Sequence, residues 1–150
     1  MRSAAARSDI VRGSILSSDG KVLAETEDGG RRVYPFGSVM AAVTGYNGEQ
    51  IGSAGIEGHA NQALLGLTGD MSRLGPLAQL LQSDRGNDVR LTIDSHVQQA
   101  AFSGLGNRRG AVVVLDAETG AVLAMVSSPS YDPNDIESNW KNLSQQEDSP

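Results

Sequence analysis

Residues 110–126 contain two apolar runs, Ala111-Val112-Val113-Val114-Leu115 and Ala121-Val122-Leu123-Ala124-Met125-Val126, separated by Asp116-Ala117-Glu118-Thr119-Gly120. Side chains on a strand alternate between its two faces, so strands that are apolar at every position call for cover on both sides. The connecting residues have turn chemistry, with Gly120 free to take the positive φ that closes such loops. A hairpin over 110–126 is therefore predicted, and a sheet covered on both faces is the middle layer of a three-layer domain. The rest of the chain offers too few helical segments for two such layers. The hairpin is expected to belong to a larger protein of which this chain is one piece.

At 150 residues there is room for one ordinary domain or two small ones. An aromatic content of 4% makes any core aliphatic and modest, and the net charge of −6 argues against nucleic acid as a partner. The chain has no cysteine, which removes disulfides, thiolate catalysis and cysteine metal sites together. It also fits an extracytoplasmic protein that avoids stray oxidation. No apolar run is long enough to span a membrane, and residues 1–7 lack the apolar stretch of a signal peptide. A membrane anchor, if the parent protein has one, is expected upstream of this sequence.

Along the chain, residues 1–8 are expected to fray. A first hairpin is predicted from Ser14-Ile15-Leu16-Ser17, an Asp19-Gly20 turn and Lys21-Val22-Leu23-Ala24. Arg31–Gly37 reads as extended, stopped by proline and glycine. The glycine-dense stretch 45–69 favours short helical turns, as at Ala60–Leu65, and Leu74–Leu81 has the pattern of a short helix with Pro76 in its first turn. The polar run 83–88 marks a boundary. After it come a strand over Val89–Ile93 and a helix over 95–105, with Asp94 as its cap and Val97, Ala101 and Leu105 on one face. A turn of helix is predicted around Ile136–Leu143.

Four segments, taken together, resemble the N-terminal region of class B penicillin-binding proteins: Arg12-Gly13-Ser14-Ile15 with Asp19-Gly20; Arg32-Val33-Tyr34-Pro35-Phe36-Gly37; Gly52-Ser53-Ala54-Gly55-Ile56-Glu57; and Asp88 followed by Leu91-Thr92-Ile93-Asp94. The hairpin and Ser127-Ser128-Pro129-Ser130-Tyr131-Asp132-Pro133-Asn134 continue the match and look most like the actinobacterial penicillin-binding protein A branch. The resemblance implies an α+β chain. Residues 10–88 would be a β-rich pedestal, or dimerisation domain, with short helices. Residues 89–150 would be the strand-helix-hairpin start of a truncated transpeptidase domain. It further implies a protein on the extracytoplasmic face of the bacterial membrane whose whole form cross-links peptidoglycan. Division or elongation proteins are the implied partners, and a homodimer is what the domain's label suggests. Stem peptides and β-lactams would be met only through catalytic elements outside this chain. No cofactor or metal is implied. The positions that carry the resemblance at the junction of the two parts are Arg12, Gly13, Arg32, Tyr34, Pro35, Gly55, Glu57, Thr92 and Asp94.

Penicilloyl serine transferases place a nucleophilic serine one helical turn before a lysine, supported by S-x-N and K-T-G. Ser18–Lys21 and Ser138–Lys141 satisfy the bare spacing, but the first holds a helix-breaking Asp-Gly and neither has the family's Tyr-Pro-Pro-Gly lead-in. Tyr34-Pro35-Phe36-Gly37-Ser38 resembles that lead-in, yet Ala41 stands where the lysine would be. No catalytic residue is assigned, and this stretch is expected not to acylate. The only imidazoles, His59 and His96, lie on different segments and read as surface or capping residues. Arg12 and Glu57 would pin two glycine-rich segments if they paired. Otherwise each is an exposed charge contributing under about 1 kcal/mol. A reading without the resemblance is a stand-alone secreted β-rich binding module, with Arg12, Arg31 and Arg32 as an anion-facing patch.

Overall fold

The computed structural model describes residues 10–67 and 84–145. Four short strands, β1 (Ile15–Leu16), β2 (Val22–Thr26), β3 (Arg32–Val33) and β6 (Val89–Arg90), form one sheet in the order β3-β2-β1-β6. Strand β1 (Ile15–Leu16) pairs antiparallel with β2 (Val22–Thr26), as the Asp19-Gly20 turn predicts, with Gly20 at φ +82°. Strand β2 pairs antiparallel with β3 (Arg32–Val33). On the other side β1 pairs parallel with β6 (Val89–Arg90).

This parallel contact extends beyond the two short strands. Val11 N–H donates to Asp84 O at 2.8 Å, Gly86 N–H to Val11 O at 2.8 Å, Leu91 N–H to Leu16 O at 2.8 Å and Ser18 N–H to Ile93 O at 2.8 Å. Residues 11–18 thus run beside 84–93. From the sequence, a strand over Val89–Ile93 opens the part beyond the boundary at 83–88. Its regular part is only Val89–Arg90, and it hydrogen-bonds into the first sheet.

The glycine-dense stretch folds into small elements: a 3₁₀ turn at Gly37–Val39, α1 (Ala41–Thr44), a ribbon of β4 (Asn47–Gly48) and β5 (Gly52–Ser53), α2 (Gly55–His59) and α3 (Asn61–Leu64). The helical turns match expectation in kind, whereas the β4–β5 ribbon has no apolar alternation to announce it. The helix predicted at 74–81 and the fraying at 1–8 lie outside the described residues. The core gathers Ile15, Leu23, Ala24, Tyr34, Met40, Val43, Leu64 and Ile93, with Val122 packed against it. It is aliphatic apart from one tyrosine.

Helix α4 (Ser95–Leu105) starts where predicted. Asp94 Oδ1 accepts from His96 N–H at 2.9 Å and Val97 N–H at 3.0 Å, satisfying amides that the first turn leaves without partners, and Gly106 at φ +55° closes the helix. Val97, Ala101 and Leu105 are half-buried, and the most deeply buried side chains on the helix are Ser95 and Gln98.

The predicted hairpin is β7 (Gly110–Leu115) and β8 (Val122–Ser128). Asp116 Oδ1 accepts from the N–H groups of Glu118 and Thr119 at 2.9 Å each, and Gly120 sits at φ +74°. The face carrying Val112, Val114, Ala124 and Val126 packs under α4, leaving Ala124 and Val126 buried. The opposite face is open: Val113, Leu115 and Met125 are 55%, 57% and 38% exposed. Among the described residues the hairpin therefore has one of the two covers its composition calls for. A chain that presents such a face is expected to enhance the emission of an anilinonaphthalene sulfonate dye. The double variant V113K/L115E should lower that emission several-fold while leaving far-ultraviolet circular dichroism unchanged. Equal emission from both proteins would show the face to be covered in solution.

The chain closes with a 3₁₀ turn at Pro133–Asp135 and α5 (Ile136–Gln145), the latter where a turn of helix is predicted.

Candidate functional site

Three segments, around residues 12, 32 and 57–61, converge on one carboxylate. Glu57 lies on α2 and is fully buried. The approach of α2 to α1 depends on Gly55, which sits at φ +60°, and a Cβ there would stand 2.7 Å from Gly45 Cα. Arg12 Nε donates to Glu57 Oε2 at 2.7 Å, its Nη2 to Glu57 O at 2.6 Å and its Nη1 to Asn61 Oδ1 at 2.6 Å. Arg32 Nε donates to the other carboxylate oxygen, Oε1, at 2.7 Å, and its Nη1 to Gly13 O at 2.8 Å and Thr26 Oγ1 at 3.1 Å. The two arginine side chains are 8% and 6% exposed. Each carboxylate oxygen thus serves one guanidinium, and the cluster holds two positive charges against one negative. Arg32 Nη2 is buried and has no hydrogen-bond partner among the described residues.

The neighbouring backbone leaves no room at Gly13, where a Cβ would stand 2.0 Å from Asn87 O. Gly13 N–H donates to Leu64 O at 2.9 Å, and Ser14 N–H to Asp88 Oδ1 at 2.7 Å. Tyr34, 4% exposed, accepts the Asn47 N–H at its phenol oxygen at 2.8 Å. Burial first, and then the nearby Glu57 carboxylate, hold its phenol well above the usual tyrosine range. Pro35 is exposed and ends the strand without joining the cluster.

A second set of contacts ties this cluster's surroundings to the C-terminal residues. Asn134 Oδ1 accepts from Tyr34 N–H at 2.9 Å, and its Nδ2 donates to Tyr34 O at 3.0 Å, so one side-chain amide pairs with both main-chain groups of a single residue. Asp132 Oδ1 holds Asn134 in place by accepting from its N–H at 2.9 Å and its Nδ2 at 2.8 Å. The buried Gln98 does the same for β8: its Oε1 accepts from Met125 N–H and its Nε2 donates to Met125 O, both at 2.8 Å, while Nε2 also reaches Val39 O at 2.8 Å. Thr92 Oγ1 donates to Val122 O at 2.7 Å and Asp94 N–H to Leu123 O at 2.9 Å. Arg12, Gly13, Arg32, Tyr34, Gly55 and Glu57 therefore form one cluster, and Thr92 and Asp94 belong to the separate seam along β8.

Two matches fit this arrangement. Residues 12–89, just over half of the chain, match the penicillin binding protein A dimerisation domain, and residues 110–150 match the penicillin binding protein transpeptidase domain. The chain belongs to the penicillin-binding protein family. Peptidoglycan D,D-transpeptidase PbpA of Mycolicibacterium smegmatis is 41% identical over 110 residues, covering 69% of this chain and 22% of that protein. MrdA of Escherichia coli K12, also named a peptidoglycan D,D-transpeptidase, is 35% identical over 133 residues, covering 69% and 21%. Penicillin-binding protein A from M. tuberculosis, solved as an imipenem acyl-enzyme, superposes with a TM-score of 0.81 at 33% identity, over 95% of this chain and 37% of that one. The chain spans about a fifth of the length of these curated relatives. The α+β architecture is that of penicillin-binding proteins.

Of the two lysine-spaced serines, only Ser138 lies on a helix, one turn before Lys141 on α5. Ser18 and Lys21 sit in the β1–β2 turn and not on a helix. Ser138 lies on α5, exposed, with its hydroxyl donated to Asp135 O at 2.9 Å. Ser38 has Ala41 three residues on. His59 is exposed, and His96, 80% exposed, has Nε2 3.9 Å from Asp19 Oδ2. No group of three or more metal-ligating side chains occurs among the described residues.

Asp19 is more than a turn residue. Its Oδ1 accepts from Ser95 N–H at 3.0 Å and its Oδ2 from Ser95 Oγ at 2.6 Å, which links the β1–β2 turn to the start of α4. Hydrogen bonds from Ser17 and then Ser95 hold its carboxyl well below the usual range. A carboxyl whose folded pKa is depressed adds stability above its unfolded value of 3.8, and that stability is lost as the pH falls below it. Urea unfolding at pH 6 and pH 3 should therefore show a smaller acid-induced loss in Asp19→Asn than in the parent chain. Identical pH dependence in the two would remove Asp19 from this role.

Proposed function

We propose that residues 10–88 are a non-catalytic pedestal and 89–150 the opening elements of a transpeptidase domain, in a protein that cross-links peptidoglycan through a serine acyl-enzyme. The observation that carries this is the continuity between the two parts. The Glu57 cluster fixes the first sheet, β6 prolongs that sheet into the segment that caps α4, and Gln98 and Asn134 bind the hairpin and the C-terminal turn to residues 34 and 39. Such a support holds whatever follows it at a fixed attitude. The open face of β7–β8 is where further catalytic-domain structure would lie.

The names of the relatives support the reaction class, and their family supports a site of action on the extracytoplasmic face of the membrane. Division or elongation proteins, and a second copy of the chain, are the proposed partners of the pedestal. A secreted module with an arginine surface patch is disfavoured because Arg12 and Arg32 are buried in the ion cluster.

A fluorescent penicillin tests this. The 150-residue chain is expected to take no covalent label, and the full-length gene product to take one label that unlabelled penicillin blocks. Stable labelling of the chain itself, abolished by Ser138→Ala or Ser18→Ala, would overturn the assignment, as would an unlabelled full-length protein.

A further inference from the structure

The chain has one tryptophan, three tyrosines and two phenylalanines, and three of these rings meet in one place. Tyr46 and Ala54, on either side of the β4–β5 ribbon, face Tyr131 and the side chains of Ile136, Trp140 and Leu143 on α5 across a cavity of about 360 Å³. The ring centroids of Tyr46 and Tyr131 are 6.2 Å apart with their planes at 75°, and those of Tyr46 and Trp140 are 5.9 Å apart at 61°. Both are edge contacts. Each consumes at most one face of one ring, whereas a stacked pair covers a face of both. Trp140 is 37% exposed, although an indole is among the side chains that gain most from burial.

The lining decides what the cavity can hold. No charged side chain among the described residues lines it, so an ion would find no counter-charge there. Its free donors are neutral: the Tyr46 hydroxyl and the Trp140 indole N–H donate to no group among the described residues. Tyr131, by contrast, donates its hydroxyl to Ala41 O at 3.4 Å. A fitting ligand is neutral, with a flat C–H face for the rings and oxygen acceptors around its rim. A pyranose ring has both, since its slightly positive axial C–H bonds lie against the negative face of an aromatic ring while its oxygens stand at the edge. The volume sits at the lower end of the range for organic-ligand sites, roughly 300–1,000 Å³, which suits one such ring. Ala54, Ile136 and Leu143 add an apolar wall for a methyl group.

We propose that the cavity between Tyr46, Tyr131 and Trp140 binds a neutral N-acetylated pyranose ring of a glycan. The choice of an N-acetylated sugar rests on the peptidoglycan reading above, whereas the binding itself needs no acyl transfer.

The test ligand is chitotriose, with maltotriose as a saccharide lacking acetamido groups and tetramethylammonium as a cation that aromatic rings also attract. Because Trp140 is the chain's only tryptophan, its selectively excited emission reads this cavity alone. Chitotriose is expected to shift that emission saturably to shorter wavelength. Titration calorimetry, on the chain and on the full-length protein, is expected to show it binding about fivefold or more tighter than maltotriose. Trp140→Leu keeps an apolar side chain on α5 but removes the ring, and should weaken chitotriose about fivefold or more. If that variant fails to fold, Tyr46→Phe keeps the ring, removes the free hydroxyl and should weaken it about threefold or more. Absence of saturation, equal affinity for maltotriose, tighter binding of tetramethylammonium, or full affinity in a folded Trp140→Leu or Tyr46→Phe variant would each overturn the proposal. A full-length protein that binds chitotriose but takes no penicillin label would sink the transpeptidase assignment and leave this site standing.

Discussion

Glu57→Gln is expected to lower the unfolding free energy by roughly 3–5 kcal/mol, the scale seen when one member of a buried ion pair is removed. The neutral amide keeps the size of the side chain but leaves two guanidinium groups in a site from which water is largely excluded, where Arg12 and Arg32 each lose a charge-assisted partner at 2.7 Å. Their remaining bonds, to Asn61, Gly13, Thr26 and the Glu57 carbonyl, are to neutral acceptors and cannot offset the repulsion. The midpoint of urea unfolding measures the effect. A loss below about 1 kcal/mol would mean that the carboxylate contributes no more than a surface pair.

The second large effect is expected from Gly13→Ala. Its φ needs no glycine; the constraint is space, since a Cβ would stand 2.0 Å from Asn87 O and 2.5 Å from Asn87 C. Both obstacles are main chain in a parallel ladder, so neither can rotate aside as a flexible side chain would. A loss of at least about 3 kcal/mol is expected, at or above the upper part of the overpacking range. Gly104→Ala is the control: a Cβ on this residue of α4 meets nothing within 4 Å, and removing a helix-interior glycine should stabilise by roughly 0.5–1 kcal/mol. If the two variants unfold at the same midpoint, close packing at Gly13 is not what holds the ladder.

The elements best foreseen from the residues were those with a strong local signal. The unbroken apolar runs of 110–126 yield β7 and β8, and Asp94 before a 3.6-residue pattern yields α4. The sequence offers Arg12 and Glu57 as a candidate pair, and the structure joins their charges at 2.7 Å. Arg32 as the second partner of the same carboxylate is not legible in the sequence, because Arg31 and Arg32 are chemically alike there and only the structure places Arg32, on β3, inward and leaves Arg31, just before it, exposed. The burial of Gln98 and Ser95 is hidden for a related reason. The stripe Val97-Ala101-Leu105 is real but lies beside the most buried line of the helix, which is polar. A glutamine among residues that face the core is the signal that could have found it. Asn134 has no such signal, since its partner lies 100 residues away. The boundary expected at residue 88 from the polar run 83–88 is crossed by backbone pairing between 11–18 and 84–93, and nothing local in either segment reveals a parallel partner.

That pairing has a mechanical consequence. In a parallel pair, the leading end of one strand and the trailing end of the other lie at opposite ends of the ladder. Tension applied between residue 10 and residue 94 would load the bonds from Val11–Asp84 to Ser18–Ile93 in shear, together, and could not peel them one at a time. A chain held this way resists being stretched along the direction of its paired strands.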